Sequence, residues 1–316
     1  MAESKAVVIA AFLANAVIAA VKFGGFLLTG STAMLSETYH SVADTGNQLF
    51  LFVGIWFGER EPDSGHPFGH GKAQFFYGFL VSVLLFGIAG WSSLRKGYAA
   101  VTGGETHLTT APATLPGLGV RVPGLWVNYG ILLLGIPVEG YALWKAYGGM
   151  ADQIDEHGWA GLREAFHKTS QVSTLTAFTE GVVTISGLGV ALVGLALTQV
   201  TGDPFYDGAA AILIGLLLMA FALALAWENK RLLLGENLAR DELRRLREAV
   251  RDVDGVRGVE NFQAVYFGPD RVVVTGHVAF ADRMDLGDVD ESIAAVERRL
   301  RDENEKVAET FIEPET

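Results

Sequence analysis

Apolar residues along this chain gather into six blocks, covering residues 6–28, 33–58, 75–94, 126–144, 175–197 and 209–227. A helix needs about 20 apolar residues to cross a bilayer, so the pattern predicts six transmembrane helices and returns the chain to the side on which it starts. Beyond residue 236 the blocks stop and finer periods begin. Leu243, Leu246 and Val250 recur at helical spacing, as do Leu286, Val289, Ile293, Val296 and Leu300. Between these helices, residues 259–267 and 271–280 read as strands joined by a Gly268-Pro269-Asp270 turn, and a short strand near residues 310–313 completes an αββαβ unit. The expected fold is a membrane all-α six-helix transmembrane bundle over residues 1–235, followed by a small α+β domain over residues 236–316. So small a domain has few core residues, and a partner subunit is expected to cover one of its faces.

The composition agrees with this reading: half of the 316 residues are hydrophobic, and they are clustered. Lys5 ahead of an alanine-rich run resembles a secretory leader, but the block's length, its interruption by Asn15 and Lys22, and the immediate second block argue for a retained helix. In a six-span arrangement Lys5, Arg60, Lys72, Arg163, Lys168, Lys230 and Arg231 fall on one side, which places both termini in the cytoplasm. The formal charge of −12 disfavours nucleic acid and anionic lipid surfaces as partners and suits the handling of cations. The absence of cysteine excludes disulfides and thiolate metal sites. Residues 102–124, rich in Gly, Thr and Pro, read as an external loop. Residues 147–170 carry Asp152, Asp155, Glu156, His157, Glu164 and His167, either to capture metal or as an ordinary solvated helix surface.

The chemistry sits in the second and fifth blocks. His40 and Asp44 are four residues apart, so a helix places both on one face about 6 Å apart along its axis. Glu37 lies one turn earlier on nearly the same stripe. Charged groups at membrane depth cost at least about 2.5 kcal/mol each, so they are expected to serve a function. Glu180 is the only ionisable residue of the fifth block, with Thr176 one turn before it. A divalent ion held by His40, Asp44 and Glu180, with Thr176 or water in the fourth position, would neutralise carboxylates that are otherwise isolated. When the ion leaves, protons replace it, so exchange of metal for protons follows. The plainer alternative is that His40 and Asp44 bond one another and Glu180 lines a crevice.

These residues resemble the cation diffusion facilitator family. The resemblance rests on the run from Ser36 to Gln48, the loop Asp63-Ser64-Gly65-His66-Pro67-Phe68-Gly69-His70-Gly71-Lys72, the six spans and the tail ending Phe311-Ile312-Glu313-Pro314. It implies a homodimer with a cytoplasmic ferredoxin-like domain that exchanges Zn²⁺ or a related ion for protons by alternating access, at the plasma (inner) membrane. It is no enzyme, and the metal is cargo rather than cofactor. His40 and Asp44 match the family's second-span ligands. Thr176 and Glu180 stand where zinc members carry a second His and Asp, a departure similar to the branch typified by zinc transporter nine. One nitrogen among oxygens hardens the site and opens it to Mn²⁺, Fe²⁺ or Co²⁺, with Zn²⁺ the first choice. The resemblance also makes Asp63, His66 and His70 a second metal site, unless the glycines around them merely shape a turn. It leaves His277 and Glu313 as remnants of a tail metal site.

Three further expectations concern single charges. Lys72 is expected to pair with Glu228 or Glu236. Lys22 is expected to snorkel to the interface or to pair with Glu139, and Asp207 to cap or anchor at the outer interface. The alternative to transport is a transport-inactive, metal-binding or scaffold membrane protein of the same family.

Overall fold

The computed structural model describes residues 2–103, 112–114, 121–168, 172–282 and 284–315. Among the described residues, six long helical stretches dominate the chain up to Leu233. They are α1 (Ala2–Thr29), α2 (Thr32–Gly58), the run α3 (Lys72–Leu84), a π-helical turn (Leu85–Gly90) and α4 (Trp91–Val101), then α5 (Gly124–His157), α7 (Val172–Thr201) and α8 (Phe205–Leu233). A short α6 (Leu162–Lys168) lies between α5 and α7, and two three-residue strands, β1 (Pro112–Thr114) and β2 (Arg121–Pro123), pair antiparallel between α4 and α5. By length and apolar composition, the stretches Lys72–Val101, Ala177–Thr201 and Phe205–Leu233 can each cross a membrane, and Asn15–Thr29 is a shorter apolar helix.

The chain divides into two units, one of Met1–Phe52 with Gly78–Trp227 and one of Val53–Tyr77 with Glu228–Thr316. In the first, Met34, Leu85, Leu132, Leu188, Leu195, Ile214, Leu218 and Phe221 form the buried core. Its outer surface is equally apolar: Val17, Leu27, Leu134, Trp144, Val200 and Leu223 are exposed. A helix apolar on every side belongs in lipid. Asp207, 1 % exposed, closes the start of α2. Its carboxylate accepts from Ser31 Oγ at 2.6 Å, from both the N–H and the hydroxyl of Thr32 at 2.6 Å, and from Ala33 N–H at 3.3 Å. The two N–H groups are orphan donors of a helix N-terminus, and a carboxylate there also meets the favourable end of the helix dipole. Asp207 thus caps α2 rather than its own helix α8.

Two helices run longer than the apolar blocks indicate. The third extends to Val101 and takes in Arg95 and Lys96, both exposed. The fourth continues through the expected polar loop to His157, because residues such as Ala146, Met150, Ala151 and Gln153 are good helix formers and Met150 and Gln153 are buried there. The side chains of Glu156, His157 and His167 lie outside the described residues, as do residues 104–111 and 115–120 of the expected external loop.

In the second unit, α9 (Arg240–Arg251), β3 (Val256–Gly268), β4 (Arg271–Phe280), α10 (Leu286–Glu303) and β5 (Val307–Glu315) follow in αββαβ order. The sheet order is β3-β4-β5, with β3 antiparallel and β5 parallel to β4. A parallel neighbour needs a crossover, which α10 supplies. Val272, Val274, Val278 and Phe280 of β4 alternate toward one face and bury there with Leu246, Val250, Val296 and Leu300 from the two helices. A capping box starts α10: Asp285 accepts from the N–H groups of Gly287 at 2.8 Å and Asp288 at 2.9 Å, and Asp288 accepts from Asp285 N–H at 3.2 Å.

Candidate metal centre

Helix α2 brings His40 and Asp44 together: Nε2 of His40 lies 3.5 Å from Oδ2 of Asp44, with the imidazole 1 % and the carboxylate 15 % exposed. The i, i+4 spacing therefore delivers one nitrogen and one carboxylate oxygen to a common point inside the helical unit. Glu180 on α7 is the charged neighbour that acts most strongly on Asp44, ahead of Lys22, Glu139 and Glu37. Among the described residues, however, His40, Asp44 and Glu180 do not all come within 4.8 Å of one another. The helices supply all three groups, but in this conformation they do not close on one point. The side chain of Thr176 lies outside the described residues. A hydroxyl does reach His40, from Thr184: its Oγ1 stands 3.2 Å from Nε2 and donates to the carbonyl of Glu180 at 2.9 Å. Thr184 follows Glu180 by one turn, and that spacing on an otherwise apolar helix was the available signal.

A second feature was not anticipated. Lys22 neither snorkels nor bonds to Glu139; its Nζ donates to Oε2 of Glu37 at 2.9 Å, with the two side chains 3 % and 0 % exposed. This ion pair ties α1 to α2 one turn before His40. It gives the lysine the partner that burial demands, and Asp44 and Glu139 add to the negative field around the ammonium. Gly187 of α7 presses onto this place. A Cβ on it would stand 2.7 Å from Oε1 of Glu37 and 3.9 Å from Nδ1 of His40.

In the second unit the loop after α2 assembles another group. Asp63, His66 and His70 each present a ligand atom within 4.8 Å of the others. Nδ1 of His66 is 3.3 Å from Oδ1 of Asp63, and Nε2 of His70 is 3.6 Å from Oδ2. Oδ1 of Asp63 also accepts from the N–H groups of Gly65 at 2.8 Å and His66 at 2.7 Å. The His66 amide, more than any other contact, holds this exposed carboxyl below the usual carboxylate range. A depressed folded-state value means the turn gains from the charge above the ordinary 3.8 and loses that gain as pH falls through the lowered one. The same residues therefore shape the turn and offer ligand atoms, so the two sequence readings of this loop are compatible.

The same loop packs on the β3–β4 turn of its own unit. Phe68 lies 5.0 Å from Phe267 and 5.9 Å from Phe311, ring centre to ring centre. Gly71 meets Gly268 so closely that a Cβ on Gly71 would stand 2.5 Å from the carbonyl oxygen of Phe267. Lys72 sits over the Phe267 ring at 4.4 Å. It does not pair with Glu228 or Glu236, because Arg231 takes both. On the sheet, His277 stands opposite Glu313, 3.5 Å away, with the imidazole 39 % exposed. Nothing else among the described residues joins them as a metal ligand set.

Comparison with known proteins accounts for both units. Residues 8–234 match the family model described as the cation efflux transmembrane domain, and residues 238–316 match the cation efflux protein cytoplasmic domain. Metal tolerance protein C4 of Arabidopsis thaliana is 26 % identical over 283 residues, 89 % of this chain and 58 % of that protein. The mitochondrial proton-coupled zinc antiporter SLC30A9 of Xenopus laevis is 29 % identical over 278 residues, 88 % of this chain and 47 % of that protein. Magnetosome protein MamM of Paramagnetospirillum magneticum is 26 % identical over 257 residues, 81 % of this chain and 71 % of that protein. The chain spans about half the length of the first two relatives. With both of its units matched, the chain belongs to the cation efflux, or cation diffusion facilitator, family of multi-pass membrane transporters of metal cations.

Proposed function

We propose that the protein is a proton-coupled divalent metal exporter, with Zn²⁺ as its main cargo, working as a homodimer by alternating access. Its architecture would be six membrane-crossing helices within residues 1–235 and a cytoplasmic ferredoxin-like domain over residues 236–316. Both termini would be cytoplasmic, and the membrane would be the plasma (inner) membrane. The observation that carries this reading is the His40–Asp44 pair, 3.5 Å apart and buried in a helical unit, with Glu180 acting on Asp44 from α7. A divalent ion offsets the cost of two buried carboxylates, and protons do so once the ion has gone. Ion binding would draw the Glu180 carboxylate onto the His40–Asp44 pair, while Thr184 or Thr176 supplies a hydroxyl. That closing step is a change of helix packing, as alternating access requires.

Zinc is favoured by the imidazole ligand and by the relatives that are named as zinc antiporters. The oxygen-rich remainder leaves Mn²⁺, Fe²⁺ and Co²⁺ as weaker cargo. Asp63, His66 and His70 form a second metal site, in the loop that packs on the soluble domain.

Proteoliposomes loaded with a pH-sensitive dye test the exchange. Zn²⁺-driven proton flux should disappear in Asp44→Ala and in Glu180→Ala while each variant still purifies as a folded dimer. Normal flux from either variant refutes the ligand assignment. Tight Zn²⁺ binding by the parent without any flux would instead make the protein a metal-binding scaffold.

A further inference from the structure

His40 and Glu37 each have one buried polar atom without a hydrogen-bond partner, Nδ1 and Oε1, and both atoms border the corner that Gly187 leaves open. Elsewhere in this part of the site the polar atoms are engaged: Oε2 of Glu37 accepts from Lys22, and Nε2 of His40 faces Asp44 and the Thr184 hydroxyl. Buried donors and acceptors left alone lose the hydrogen bonds that water gave them, so two facing the same corner call for a common solution. An imidazole that binds a metal through Nε2 carries its proton on Nδ1, and that N–H needs an acceptor. Glu37 is the carboxylate placed to be that acceptor, and Lys22 holds its other oxygen fixed.

We propose that Glu37 is a positioning residue for the transported metal: it accepts the Nδ1–H of His40 across the Gly187 corner, directly or through one shared water. Lys22 is the anchor that keeps Glu37 from becoming a ligand itself. The proposal rests on the reading of His40 as a metal ligand. Three features then have one explanation: a lysine buried beside a cation site, a glutamate one turn before the ligand pair, and a glycine where any side chain would collide with Oε1. The ammonium is paired with Glu37 rather than left free beside the cargo, and the imidazole presents Nε2 in one tautomer and one orientation.

The test uses full-length protein in detergent, with Zn²⁺ affinity, the visible absorption band of bound Co²⁺ and thermal unfolding measured side by side. The reversed pair, Lys22→Glu with Glu37→Lys, restores the tie between α1 and α2 but leaves only a donor facing His40. It should unfold within a few degrees of the parent, bind Zn²⁺ at least about tenfold more weakly, and shift the Co²⁺ band. A folded reversed pair with parental Zn²⁺ affinity and an unchanged band would reduce Lys22 and Glu37 to a structural tie and overturn the proposal. Should that variant fail to fold, Gly187→Ala decides: the added methyl displaces Oε1 and should bring the same loss, whereas parental affinity and an unshifted band overturn the proposal. His40→Ala in the same assay separates the two levels of argument. Weakened binding there supports the ligand, and parental binding removes the site and this inference with it.

Discussion

Lys22 and Glu37 show how far a single buried charge constrains its surroundings. Removing one partner of a buried ion pair strands the other and costs about 3–5 kcal/mol, whereas replacing both with apolar groups is often neutral. Lys22→Met alone should therefore lower the thermal unfolding midpoint and the yield of folded protein, and adding Glu37→Leu should recover most of the loss. A double variant no more stable than the single one would show that the pair is not the source of the effect. Both residues stood out in the sequence as charges inside apolar blocks, but their pairing did not. They are 15 residues apart on two helices, and only the packing of α1 against α2 decides whether the ammonium meets Glu37, Glu139 or the interface. His40 and Asp44 were legible for the opposite reason, since their contact is made within one helix and follows from the i, i+4 spacing. Thr176 and Thr184 lie one turn either side of Glu180, and spacing alone does not say which hydroxyl reaches His40.

At the scale of elements, the apolar blocks announced the helices but not their ends. A block measures what must face lipid or core, whereas a helix ends where its backbone finds other partners, so α5 runs through polar residues to His157 and the third span runs on to Val101. The αββαβ order was readable because each of its elements has its own period and turn chemistry. Asp207 was expected to cap or anchor at the outer interface from its local setting; it does cap, but the helix lies 175 residues earlier in the chain. Such a cap has no local signature beyond an acidic residue near a helix start. Losing it strands the donors of Ser31 and Thr32 at a buried site, each worth about 1–3 kcal/mol. Asp207→Ala should accordingly lower the unfolding temperature markedly and leave the order of preference among Zn²⁺, Co²⁺ and Mn²⁺ unchanged. A changed metal preference with parental stability would assign Asp207 to the site rather than to the start of α2.

At the scale of the whole molecule, the family and the division into helical and α/β parts were legible from the motifs around His40 and His66 and from the change of period after residue 236. The closure of the site was not, because two residues on α2 and one on α7 define a common point only through the packing of two helices 140 residues apart in the chain. The present arrangement keeps Glu180 in electrostatic touch with Asp44 without completing a three-ligand set. Packing of the Asp63–His70 loop on the β3–β4 turn shows that the segment between the second and third helices belongs physically with the C-terminal unit. The central claim is that the transported ion sits between His40, Asp44 and Glu180. Anomalous X-ray scattering at the zinc edge, from crystals grown with Zn²⁺ in competition with Mn²⁺ and Co²⁺, locates that ion directly. The account requires a zinc peak within bonding distance of Nε2 of His40 and of carboxylate oxygens from both Asp44 and Glu180. Zinc confined to the Asp63, His66 and His70 loop, with Glu180 still apart from Asp44, would contradict it.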